Sequence, residues 1–239
     1  MIQALIHGKL SREQENMEDI LTSNVFGALR YNQSHDILLR FLKHARTPSG
    51  KSLLEGADTI ASVEYIFWPS YADCDEAHFC QPDLELRMVL KDRSKHRLFI
   101  EAKFNSGKSS LDEEAEDREE ADEPIQESPR SRDQLAKEWA QLVRIVGDDE
   151  DHHAALIYLT ADTAPPLSEL EESAQAAERV RKNSTLQFEC FWLSWRHLYS
   201  VLKSDHGPVE ADLLKMLDHL QPHFFRGFQW PKFPENIAF

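Results

Sequence analysis

The chain has 239 residues and a formal net charge of -15, with 27 Lys and Arg against 42 Asp and Glu. That length suits a single α/β domain with a full hydrophobic core, and three cysteines, an odd and sparse set, argue against a disulfide framework and for a reducing compartment. No apolar run reaches the roughly 18 residues of a membrane span, and the polar first ten residues do not read as a signal peptide, so the expectation is a cytoplasmic protein with no membrane partner.

The negative charge is unevenly placed. Between Asp112 and Glu127 there are ten acidic residues and one basic one, Arg118, so this stretch carries -9 of the -15. The whole-chain charge argues against a free-standing nucleic-acid binder with a basic face. The remainder is only mildly acidic and leaves room for a local basic groove.

In chain order, residues 11–45 read as helical. Ser11 and Gln14 form a candidate capping box, Met17, Ile20, Leu21, Val25 and Leu29 form one stripe, and Ser34 or His35 marks a break. Thr47-Pro48-Ser49-Gly50 is a turn. Thr59 to Trp68 is a strand by its β-branched and aromatic content, and Pro69 ends it. Tyr71 to Gln81 looks irregular. Leu84, Leu86, Met88 and Leu90 alternate with Glu85, Arg87 and Val89, the pattern of a half-buried strand. A polar turn at Asp92 to Lys95 leads into a second strand, His96 to Lys103.

Residues 105–130 lack hydrophobic periodicity and read as an acidic, disordered insertion within one domain spanning 1–239. Gln134 to Val146 is an amphipathic helix with Leu135, Trp139, Leu142, Val143 and Val146 on one face. A buried strand follows at Ala154 to Thr160. Next come a polar helix from Ser168, its candidate cap, to Arg181, and a strand at Leu186 to Leu193. A helical and aromatic extension occupies about 194–239.

The chemistry concentrates on the hairpin. Pro82-Asp83 opens its first strand and Glu101-Ala102-Lys103 closes its second, with the turn about midway between them. Antiparallel pairing brings Asp83 beside Glu101 at the open end, and the period of two puts Glu101 and Lys103 on one face. Two carboxylates on a rigid face are hard oxygen ligands for Mg²⁺. A cation there polarises a phosphodiester and acidifies water, and a lysine two residues away stabilises charge on phosphate oxygens. Cys74, His78 and Cys80 lack the nearby fourth ligand that a structural zinc site needs.

Pro82, Asp83, Glu101, Ala102 and Lys103 resemble the motif of the PD-(D/E)XK nuclease superfamily, the restriction-endonuclease-like phosphodiesterases. The resemblance covers about two thirds of the chain. It implies an α/β core in the order α-β-β-β-α-β, with a mixed sheet flanked by helices. It also implies an acidic residue from the first helix, for which Glu18 is the match with Asp19 as the alternative, and a glutamine from the helix after the motif, for which Gln134 is the candidate. The segment Glu18 to Gly27 is similar to the opening of uncharacterised nucleases of that superfamily.

The implied activity is a nuclease dependent on Mg²⁺, with Mn²⁺ as a substitute, acting on DNA as an endonuclease. Asp83, Glu101 and Glu18 would be its metal ligands, and Lys103 and Gln134 would assist. Anti-phage defence is among the roles of such enzymes. A homodimer or a partner subunit would supply the grip on DNA that the composition lacks. The competing expectation is a catalytically silent nucleic-acid-binding or assembly subunit of a larger complex.

Overall fold

The computed structural model describes residues 18–32, 34–72, 79–104, 133–147, 152–180, 187–202 and 207–220. Two helices come first, α1 (Glu18–Arg30) and α2 (Asp36–Leu42). Strands β1 (Ile60–Phe67), β2 (Tyr71–Ala72), β3 (Phe79–Cys80), β4 (Leu84–Leu90) and β5 (Lys95–Ala102) follow. Then come α3 (Gln134–Val146), β6 (His152–Thr160), α4 (Leu167–Val180), β7 (Cys190–Ser194), α5 (Trp195–Leu202) and α6 (Pro208–His219). This is an α/β architecture around a mixed five-stranded sheet in the order β1-β4-β5-β6-β7, with a separate two-stranded ribbon β2-β3.

The sheet has two halves. β1, β4 and β5 form an antiparallel meander, with Tyr65 opposite Leu86 and Leu86 opposite Leu98. β6 and β7 then add in parallel, with Glu101 beside Tyr158 and Tyr158 beside Trp192. Parallel neighbours need a long crossover, and α3 and α4 supply it.

Alternation along the strands divides the core. Leu84, Leu86, Leu98, Ile100 and Ala102 face one side, where they pack with Leu21, Val25 and Phe26 of α1, Phe41 of α2, Trp195 of α5 and Leu213 of α6. Phe99, Tyr158 and Trp192 face the other, under Leu135, Trp139 and Leu142 of α3 and Leu170 and Ala177 of α4. Both faces are thus covered, which is why even Glu85 of β4 is drawn inside.

Several expectations need correction. Tyr71 to Gln81 is not wholly irregular, because Tyr71 pairs with Cys80 and Ala72 with Phe79. Glu85 does not face solvent. It is completely buried, since the Tyr71 ring stacks on Phe99 at 5.5 Å and carries the ribbon over that face. Helix α4 starts at Leu167, so Ser168 lies inside its first turn and is no cap. The strand expected from Leu186, which itself lies outside the described residues, starts at Cys190. The capping box at Ser11, Met17, Cys74, His78, the acidic insertion and the aromatic tail lie outside the described residues. Among the described residues, no helix is long and apolar enough to cross a membrane.

Candidate active site

The open end of the β4–β5 hairpin builds the site. Leu84 pairs with Ile100, so one further step sets Asp83 beside Glu101. Asp83 is pinned twice: its carbonyl accepts the Trp68 N–H at 3.1 Å, and its Oδ2 accepts the Ala102 N–H at 2.7 Å. At the closed end Asp92 Oδ1 accepts from the Ser94 N–H at 2.9 Å and the Ser94 hydroxyl at 2.6 Å, and Arg93 adopts the left-handed conformation (φ 75°). Lys103 lies just beyond β5, held there by its N–H bond to the Leu159 carbonyl at 2.7 Å.

Three expected residues converge directly. Lys103 Nζ is 2.8 Å from Glu101 Oε1 and 3.1 Å from Glu18 Oε1 of α1. Asp83, at 9 % exposure, Glu101, at 2 %, and Lys103, at 7 %, are all buried, where charged side chains are rare unless paired. Gln134 enters at one remove: its Nε2 donates to Glu138 Oε1 at 3.2 Å. Asp19 has no such link among these contacts.

Glu138 was not anticipated from the sequence. It is 2 % exposed and its carboxyl lies close enough to that of Glu101 for the two to interact. Helix α3 delivers it. Asp133 caps the helix by accepting the Ala136 N–H at 3.0 Å, and its second oxygen accepts the Ser173 hydroxyl of α4 at 3.1 Å. Leu135, Trp139 and Leu142 then seat the helix on the sheet. Glu138 falls three residues after Leu135 and four before Leu142, so it shares their face. A glutamate inside an apolar stripe was the available signal.

The cluster holds four carboxyls, Glu18, Asp83, Glu101 and Glu138, against one ammonium. Burial, and then the negative charge of Glu101, push the Asp83 carboxyl up to about 7. Burial likewise raises Glu101, with Lys103 pulling it back. Glu138 is raised well above the ordinary carboxylate range, by burial and next by the charge of Glu101. Burial would lower Lys103, but Glu101 and Glu18 overcome it and hold the amine above its ordinary range. Lys103 is therefore a fixed cation at neutral pH and not a proton acceptor.

The oxygen set is the hard-donor chemistry that Mg²⁺ takes. Glu101 Oε2 and Glu138 Oε2 are buried and meet no hydrogen-bond donor, a deficit that a cation would relieve. Among the described residues no group of three or more His, Cys, Asp or Glu side chains forms a ready cage. Mg²⁺ commonly makes do with one or two carboxylates plus substrate phosphate and water, so the residues present fit the ion. Comparison with protein-family models, with curated proteins and with solved structures returned no match, so the functional reading rests on this geometry and on the motif.

Proposed function

We propose that the chain is a divalent-metal-dependent phosphodiesterase of the PD-(D/E)XK type, acting on DNA as an endonuclease. The observation that carries the reading is the buried side-by-side placement of Asp83 and Glu101 with the Lys103 ammonium 2.8 Å from Glu101. The order α1, β1, β4, β5, α3, β6 around a mixed sheet supports it, because it follows the restriction-endonuclease-like core, with β7, α5 and α6 as additions.

The chain's own groups divide the work. Asp83 and Glu101 would hold Mg²⁺ or Mn²⁺, which would supply charge neutralisation at the phosphate and acidify water. Lys103, fixed as an ammonium, orients the attacking water and stabilises negative charge on the phosphate oxygens. Glu18 keeps that ammonium in place from α1. Water adds to phosphorus and releases a proton to solvent, the P–O bond to the leaving nucleotide breaks, and the departing oxygen takes a proton from solvent. Mounting these groups on strand ends and a helix, not on a loop, limits their motion.

The test is supercoiled plasmid incubated with the protein in Mg²⁺ or Mn²⁺, beside EDTA, Glu101→Ala and Lys103→Ala. Metal-dependent nicking lost in both variants is the expected result. A folded wild type that neither cleaves nor binds Mn²⁺ would overturn the reading in favour of a silent assembly subunit. Mn²⁺ binding without cleavage would place the grip on DNA in a partner subunit or a second copy.

A further inference from the structure

We propose that Glu138 is a metal-binding residue of this site, so that the cation takes the buried Oε2 oxygens of Glu101 and Glu138 as its ligands. The proposal rests on the metal-dependent reading above and alters its ligand set, which the motif alone would draw from Asp83, Glu101 and Glu18.

The assignment follows from which buried oxygens of the cluster have a donor and which have none. Glu101 Oε1 accepts from Lys103 at 2.8 Å, and Glu138 Oε1 accepts from Gln134 at 3.2 Å. Asp83 Oδ2 accepts the Ala102 N–H at 2.7 Å. Glu18 Oε1 is occupied by Lys103 at 3.1 Å, and its side chain is 27 % exposed. Glu101 Oε2 and Glu138 Oε2, by contrast, are buried and without a donor, on carboxyls close enough to interact with one another.

Two neighbouring carboxyls in a buried site, each with an oxygen that has no donor, need positive charge close by. Without metal a proton can fill that need, and with metal the cation replaces it. Lys103 cannot serve both roles, because its ammonium is shared between Glu101 Oε1 and Glu18. Gln134 then becomes intelligible as the group that fixes one Glu138 oxygen and leaves the other for the ion. Outer partners of this kind orient metal-binding carboxylates elsewhere.

Isothermal titration with Mn²⁺ on the full chain tests this, read for wild type, Glu138→Gln and Glu101→Gln, with thermal melting of each in EDTA. The Glu138→Gln amide can still donate a hydrogen bond to Glu101 and keeps the shape, but it lacks the negative charge. Mn²⁺ affinity should fall at least about tenfold in both glutamine variants, while their metal-free melting temperatures hold or rise. If Glu138→Gln binds Mn²⁺ like wild type while Glu101→Gln does not, Glu138 only holds Glu101 in place and the proposal falls, with the nuclease reading intact. If the folded wild type binds no Mn²⁺, that reading falls as well. Should Glu138→Gln not fold, Glu138→Asp, which keeps the charge but withdraws it by one methylene, must still weaken Mn²⁺ binding, and unchanged affinity there overturns the proposal.

Discussion

Two buried glutamates on one face of one hairpin are treated in opposite ways. Glu85, completely buried in β4, accepts from Arg87 Nε at 2.6 Å, lies 2.7 Å from Arg97 Nε, and bonds the Tyr71 hydroxyl. Glu101, on the neighbouring strand, has half of one ammonium and an oxygen with no donor. Glu85 is saturated by two guanidiniums that never lose their charge. Glu101 is left short of positive charge, beside two more carboxyls. A carboxylate that only holds a fold together is neutralised within the fold, whereas one that is under-neutralised invites a ligand.

The sharpest way to break this contrast is through function. Glu101→Ala should reduce metal-dependent cleavage by about 10³-fold or more, equivalent to roughly 4 kcal/mol of transition-state stabilisation, without lowering the metal-free melting temperature. Glu85→Ala should do the reverse in kind. Two arginines lose their shared partner, and because Arg87 is itself 44 % exposed, solvent limits the cost to roughly 3 kcal/mol of stability by urea unfolding. If both variants lost stability alike, the distinction between the two glutamates would be unfounded.

The pH dependence sharpens it further. Asp83 has a folded value of about 7 against an ordinary 3.8, so between those values the folded chain binds more protons than the unfolded one. Its contribution is then fully present below about pH 4 and is lost as pH rises through 7. Asp83→Asn should therefore raise metal-free stability by about 2 kcal/mol at pH 8 and leave it unchanged at pH 4. A gain independent of pH would mean the carboxyl is not strained by charge. The smallest effect is expected at Gln134→Ala, which removes one partly buried hydrogen bond to Glu138. It should cost no more than about 1 kcal/mol in thermal stability and weaken Mn²⁺ binding by less than Glu138→Gln does.

Much of the frame was legible in the sequence, and the reason is locality. Asp83 and Glu101 are brought together by a short antiparallel hairpin, whose turn residues and alternating apolar positions are written in consecutive residues. Helix α3 was placed at Gln134 to Val146 because its apolar stripe is complete within those residues. The expectation failed where distant segments decide burial. Alternation makes Glu85 look solvated, and only the ribbon carrying Tyr71 reveals that it is enclosed. Glu138 interacts with Glu101 across a separation of 37 positions, and strand or helix periodicity is silent about which helix face lands on which strand residue. The lesson for α3 is that a charge within an apolar stripe marks a residue whose partner lies elsewhere in the chain.

The mixed sheet also implies an order of assembly. Contacts between neighbours in sequence close at little entropic cost, whereas parallel pairing must wait for its crossover. The meander β1-β4-β5 is local, so Asp83 and Glu101 should meet early in folding. Glu138 arrives only when α3 docks and β6 pairs with β5. A chain arrested before that step would hold two like charges together with neither Gln134 nor Glu138 in place. In refolding followed by rapid mixing, Mn²⁺ should therefore leave the early phase unchanged and act on the last one, making the ion a reporter of the moment at which the two halves of the sheet become one.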